Sequence, residues 1–116
     1  MAESPTLSGH FEGKDPLVRS IYDRILAESR KFGSVIEQPK KTPIHLVNKS
    51  AFAGVVTRKN ALILNIKSAA PIKHKRFSKS ERVSAGRFHQ EVKLVSPDEV
   101  DSLLVGWLRE AYKLSG

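Results

Sequence analysis

The chain has no cysteine. Disulfides, thiolate metal sites and cysteine nucleophiles are therefore excluded together. It also lacks a long apolar run: the stretches around Phe52 to Val56 and Ala61 to Ile66 are far too short to span a bilayer, so no membrane role is expected. The start, Met1-Ala2-Glu3-Ser4-Pro5, has no basic region followed by an apolar one, so no secretory signal is expected and the expected compartment is cytoplasmic. There is no Gly-x-Ser-x-Gly elbow and no Gly-rich phosphate loop, which leaves no catalytic residue to name and no cofactor to expect. Acids are scarce in one region above all: between residues 40 and 93 only Glu81 and Glu91 occur.

Against those two acids the same stretch holds thirteen Lys and Arg, a local net charge of +11. The segments before and after it carry −1 and −2, giving +8 for the 116-residue chain. A basic middle between mildly acidic ends predicts one positive face and an anionic partner, nucleic acid or another polyanion. Length and a 40% hydrophobic content fit one domain with a modest core.

Residues 1–10 are small and polar and read as a flexible tail, leaving 11–116 as a single α+β domain. Asp15 and Pro16 form a helix start, and Leu17, Val18, Ile21, Tyr22, Ile25 and Leu26 recur at helical spacing until Gly33. Short β-like runs follow at Ser34 to Gln38, Ile44 to Asn48, Phe52 to Thr57 and Ala61 to Lys67. Arg58-Lys59-Asn60 reads as a hairpin turn, with Asn60 best suited to a positive φ. Residues 68–86 contain Pro71, small residues and the basic patch His74-Lys75-Arg76-Phe77-Ser78-Lys79, and read as a long basic loop.

Arg87 to Val95 alternates as a strand, with Phe88, Gln90, Val92 and Leu94 on one side and Arg87, His89, Glu91 and Lys93 on the other. Ser96-Pro97-Asp98-Glu99 is a capping box, opening a helix whose stripe is Val100, Leu103, Leu104, Trp107, Leu108, Ala111 and Tyr112. The order predicts an antiparallel sheet of four to five strands with an N-terminal and a C-terminal helix packed on one face. Ile63 lies opposite in phase to Leu62, Leu64 and Ile66, so the second face is partly apolar and expected to be covered by a loop or a second subunit.

Several pieces resemble a known family. Phe11-Glu12-Gly13-Lys14, Ile21-Tyr22-Asp23-Arg24, Phe52-Ala53-Gly54-Val55-Val56 with Arg58-Lys59, Arg87-Phe88-His89, and Asp101 with Trp107-Leu108-Arg109-Glu110-Ala111-Tyr112 resemble a bacterial domain of unknown function, the family numbered 5655. The resemblance runs from about Phe11 to Tyr112 and implies no established activity. Members are sometimes labelled predicted transport proteins, a label without physical support in a chain lacking an apolar span. The helix–strands–helix order is also similar to double-wing DNA-binding folds, an analogy of fold alone.

The candidate anion-binding residues are Lys73, His74, Lys75, Arg76, Lys79, Arg82, Arg87, His89 and Lys93, with Phe77 available to stack on a base. His45, His74 and His89 have no recognised ligand spacing, so no metal site is expected. Glu91-Val92-Lys93 matches the acid-x-Lys strand of metal-dependent nucleases, but only Glu81 is on hand as a further carboxylate, and it falls in the expected loop. The expectation is a non-catalytic module binding nucleic acid or another polyanion. The alternative is a homodimer or protein–protein domain using the second face of the sheet.

Overall fold

The computed structural model describes residues 6–115. Helix α1, Pro16–Arg30, starts as predicted: the Asp15 carboxylate accepts the Leu17 N–H at 2.9 Å, and Pro16 sits where a missing N–H costs nothing. Its buried stripe is Val18, Ile21, Tyr22, Ile25 and Leu26, with Ser29 one turn further on. Gly33, at φ 151°, lies just beyond the helix and leaves room for the Tyr112 hydroxyl, which donates to the Ser34 carbonyl at 2.9 Å. The expected tail falls partly at 1–5, outside the described residues. Ser8–His10 instead forms a 3-10 turn, Leu7 and Phe11 pack on the core, and His10 Nε2 meets the Lys40 carbonyl at 2.7 Å.

Strands β1 (Ile36–Pro39), β2 (Ile44–Val47), β3 (Ala51–Thr57) and β4 (Leu62–Ser68) form an antiparallel meander. The β3–β4 turn closes with Arg58 N–H donating to the Ala61 carbonyl at 2.8 Å, but Asn60 does not take a positive φ. β5 (Phe77–Ser84) and β6 (Arg87–Leu94) form a further hairpin, turned at Gly86 with φ 70°. The sheet has six antiparallel strands in the order β1-β2-β3-β4-β6-β5.

The sheet is thus larger than the four to five strands expected, and the 68–86 loop is not one loop. Its second half, Phe77–Ser84, is the edge strand β5. The periodicity was invisible there for a physical reason. Only Phe77 packs against the core, and Ser78 to Ser84 are exposed, so no apolar alternation is required of them. Lys79 and Arg82 on this edge also discourage pairing with another chain.

The second cap also differs from expectation. Glu99 accepts the Ser96 N–H at 3.0 Å and Ser96 accepts the Asp98 N–H at 3.3 Å, but this box builds only the 3-10 turn Pro97–Glu99. Asp101 then starts helix α2, Ser102–Leu114, by accepting the Leu104 N–H at 3.0 Å. The break rotates the stripe. Val100 is buried in the turn, Leu104, Leu108 and Ala111 are buried in the helix, and Leu103 is left exposed.

One core unites both helices with Ile44 and Leu46 of β2, Phe52, Ala53 and Val55 of β3, Leu62, Leu64 and Ile66 of β4, and Val92 and Leu94 of β6. Helix α2 packs on β3 and β4, and α1 packs on α2 and β4.

Candidate functional site

Residues directly opposite one another in an antiparallel pair share a face. The register therefore builds the second face of the sheet row by row. One row crosses all six strands: Gln38, His45, Gly54, Asn65, Glu91 and Lys79. A second joins Lys67, His89 and Glu81, and a third joins Val56, Ile63 and Lys93. On β3 this face carries Gly54, which has no side chain to raise the floor between His45 and Asn65. A groove of about 420 Å³ results, rimmed by His45, Asn65, Lys67, Lys79, His89 and Glu91.

The predicted anion-binding residues divide into three groups. Lys79, Arg87, His89 and Lys93 lie on this second face. Arg82 pairs with Phe88 on the opposite face, the one that carries Gln90 and Val92. Lys73, His74, Lys75 and Arg76 belong to the connection before β5, which docks on α2. There the His74 ring meets the edge of Trp107 at 5.1 Å and Phe77 packs on Trp107 at 4.6 Å. Phe77 is therefore not free to stack on a base. Arg76 is engaged as well: it grips Asp101 at 3.0 Å and the Glu99 carbonyl at 2.7 Å. Lys73 and Lys75 remain exposed beside it.

Charge pairing differs between the two layers. Most cations of the helices and their ends are matched: Arg19 with Asp23 at 3.1 Å, Arg24 and Lys31 with Glu28 at 3.5 and 3.2 Å, Arg30 with Glu37 at 3.6 Å, and Lys113 with Glu110 at 3.8 Å. Arg109 has no carboxylate partner among the described residues and instead lies 5.5 Å from the Phe32 ring. Of the thirteen cations between residues 40 and 93, only Arg76 and Lys79 have a carboxylate partner among the described residues, Asp101 and Glu81. Burial, then the charges of Lys40 and His89, hold the His45 imidazole below its ordinary pKa. Burial, then Arg87, likewise lowers the pKa of Lys67.

A family model described as Domain of unknown function (DUF5655) matches residues 7–115. The chain belongs to this family. No curated protein and no solved structure matches the chain. The DUF5655 description carries no activity, so function rests on the chemistry of the site. In this DUF5655 chain, Glu81 leaves the expected loop and pairs opposite His89, next to Glu91 on the same face. That is closer to a nuclease arrangement than the sequence suggested. Among the described residues, however, no group of three His, Asp or Glu is placed to hold a metal ion, and Glu81 is paired with Lys79 at 3.4 Å. Among those residues, too, no helix is long and apolar enough to cross a membrane.

Sequence reasoning overlooked Asn65 and Ser50 in this DUF5655 domain. Asn65 left a trace, as the polar break in the apolar run of β4, in phase with Ile63 and Lys67. Ser50 left none: it sits in a turn, and only the fold brings its hydroxyl to Lys67 Nζ at 3.3 Å.

Proposed function

We propose that this domain binds a polyanion, foremost the phosphate backbone of nucleic acid, on the second face of the sheet and along the β5–β6 hairpin. The reading takes both helices to lie on the core face, leaving the second face open. One observation carries it: all the helical cations but Arg109 are neutralised internally, while Lys67, Arg87 and Lys93, gathered on this face, have no carboxylate partner among the described residues. A cation without a partner keeps its charge for an incoming anion.

The same face limits what it can read. Its aromatic neighbour Phe52 is fully buried, so among the described residues the rings on this face are the imidazoles of His45 and His89, and no Phe, Tyr or Trp is presented to stack on a base. Glu81 and Glu91 break the positive surface into separate contacts. The reading is therefore backbone contact without sequence discrimination.

The test is fluorescence anisotropy against duplex DNA, single-stranded DNA, RNA and heparin at low and near-physiological salt. Three to four phosphate contacts give a log–log salt slope of roughly −2 to −4. Arg87→Glu with Lys93→Glu should abolish binding without unfolding, whereas reversing Arg76 would disturb the α2 start and report on folding instead. Binding that ignores salt, or survives the double reversal, rejects the reading. A dimer through the same face is the second reading, favoured by the adjacent Val56 and Ile63. Sedimentation equilibrium with Ile63→Lys decides it.

A further inference from the structure

Beside the groove, at its Lys67 rim, is a corner where hydrogen-bond donors gather. Lys67 Nζ donates to the Ser50 hydroxyl at 3.3 Å and to the Ser115 hydroxyl at 3.2 Å, and no carboxylate of the described residues reaches it. An ammonium has three protons to give, so one is left over. Ser115 is buried at 4% exposure and its hydroxyl is turned to the Ala51 carbonyl at 3.4 Å. The exposed Ser50 hydroxyl accepts from Lys67 and keeps its own proton for a ligand.

Two more donors adjoin this corner. His89 stands opposite Lys67 in the β4–β6 register, and Arg87 lies two residues before it on the same face. Arg87 is near enough that its charge acts on Lys67. Its Nη1 donates to the Gly86 carbonyl at 2.8 Å, which leaves most of the five guanidinium protons unused. Glu81, opposite His89, is drawn to Lys79. On one side the corner is walled by the 48–50 turn, tied to the end of α2 by the Lys49 N–H at 3.2 Å from the Ser115 carbonyl.

We infer that Lys67, Ser50 and Arg87 form a site for a phosphate monoester, a terminal phosphate rather than an internal phosphodiester. A monoester carries close to two negative charges at neutral pH and offers three acceptor oxygens. Two uncompensated cations and a hydroxyl match that group. A phosphodiester brings a single charge and would leave one cation unanswered. The inference rests on the anion-binding reading of the open face and names a discrete group within it. The phosphate can come from the 5′ end of a nucleic-acid strand or from a free phosphorylated metabolite.

Two measurements separate these sources and keep the site testable apart from polyanion binding. The first is anisotropy of one single-stranded oligonucleotide carrying either a 5′-phosphate or a 5′-hydroxyl. The phosphorylated form should bind at least about tenfold tighter, the lower end of what one charge-assisted hydrogen bond contributes. Lys67→Met should erase that difference and Ser50→Ala should reduce it, while Lys93→Met leaves the ratio intact. Equal affinity of the two forms for the wild-type protein overturns strand-end recognition.

The second measurement is a titration with inorganic phosphate, followed through backbone amide shifts. Saturable shifts confined to residues 49–51, 67–68 and 87–89, lost in Lys67→Met, support the site. If they occur without oligonucleotide discrimination, the ligand is a free phosphomonoester. Their absence overturns the site even where polyanions bind. Should Lys67→Met fail to fold, Ser50→Ala and Arg87→Met carry the same comparison from the surface. A Lys67 that merely ties down α2 predicts a lower melting temperature in Lys67→Met with an unchanged phosphate response.

Discussion

Arg76 Nη1 lies 3.0 and 3.1 Å from the two carboxylate oxygens of Asp101, a residue 25 positions away that also caps helix α2. The Leu104 N–H first, and Arg76 after it, hold the Asp101 carboxyl below its ordinary value of 3.8. Asp101→Ala should therefore destabilise the domain by about 1 kcal/mol through the lost cap. With the Asp101 side chain 49% exposed, its coupling to Arg76 in a double-mutant cycle should stay below about 1 kcal/mol. A depressed folded-state pKa gives stability that is present above pH 3.8 and lost as the pH falls through the folded value. Urea unfolding of wild type and Asp101→Asn across that range checks the sign.

Tyr22 gives the opposite dependence. It is fully buried and donates to Glu37 at 2.7 Å, and burial followed by the Glu37 carboxylate raises its pKa well above the ordinary 10.0. Stability is then intact below pH 10.0 and lost as the pH rises beyond it. Tyr22→Phe should remove most of this alkaline decline while costing about 1 kcal/mol at neutral pH for the missing hydrogen bond. Thermal melts between neutral and strongly alkaline pH report both effects.

His45 links the groove to pH. Its imidazole should titrate below 6.5, and because burial is the largest cause, His89→Ala should restore only part of the shift. The associated stability is present above pH 6.5 and lost as the pH falls through the folded value. The ring C–H resonances of His45 and His89, followed by NMR, measure the shift and the coupling.

Gly33→Ala should destabilise by about 1–3 kcal/mol, because a methyl group there meets the Tyr112 hydroxyl and the backbone stands at φ 151°. Gly13→Ala, with no atom within 4 Å but φ 73°, isolates the backbone part of that cost. Chemical denaturation of both variants separates clash from backbone strain.

What the chain revealed in advance depended on whether the signal was local. Asp15 with Pro16 placed α1, and the alternation of Gln90, Val92 and Leu94 placed the core side of β6. The capping box at Ser96 and Glu99 was legible too, but not that Asp101 would cap again after one short turn. Strand β5 was hidden because an edge strand touching the core through Phe77 alone carries no period-two pattern. The excess of cations could be counted from composition. Which of them remain unneutralised could not, since Arg76 meets Asp101 and Lys67 meets Ser115 only across the fold.

The insertion of β6 between β4 and β5 has a consequence for synthesis on the ribosome. β4, with Leu62, Leu64 and Ile66, has only β3 beside it until residues 87–94 have emerged, and α2 comes later still. During that interval its outer edge is an unpaired apolar template of the kind that nucleates association. Pairings of such long sequence separation also close slowly. A chain arrested near residue 86 should therefore be captured by holdase chaperones, and release should coincide with completion of the β4–β6 ladder.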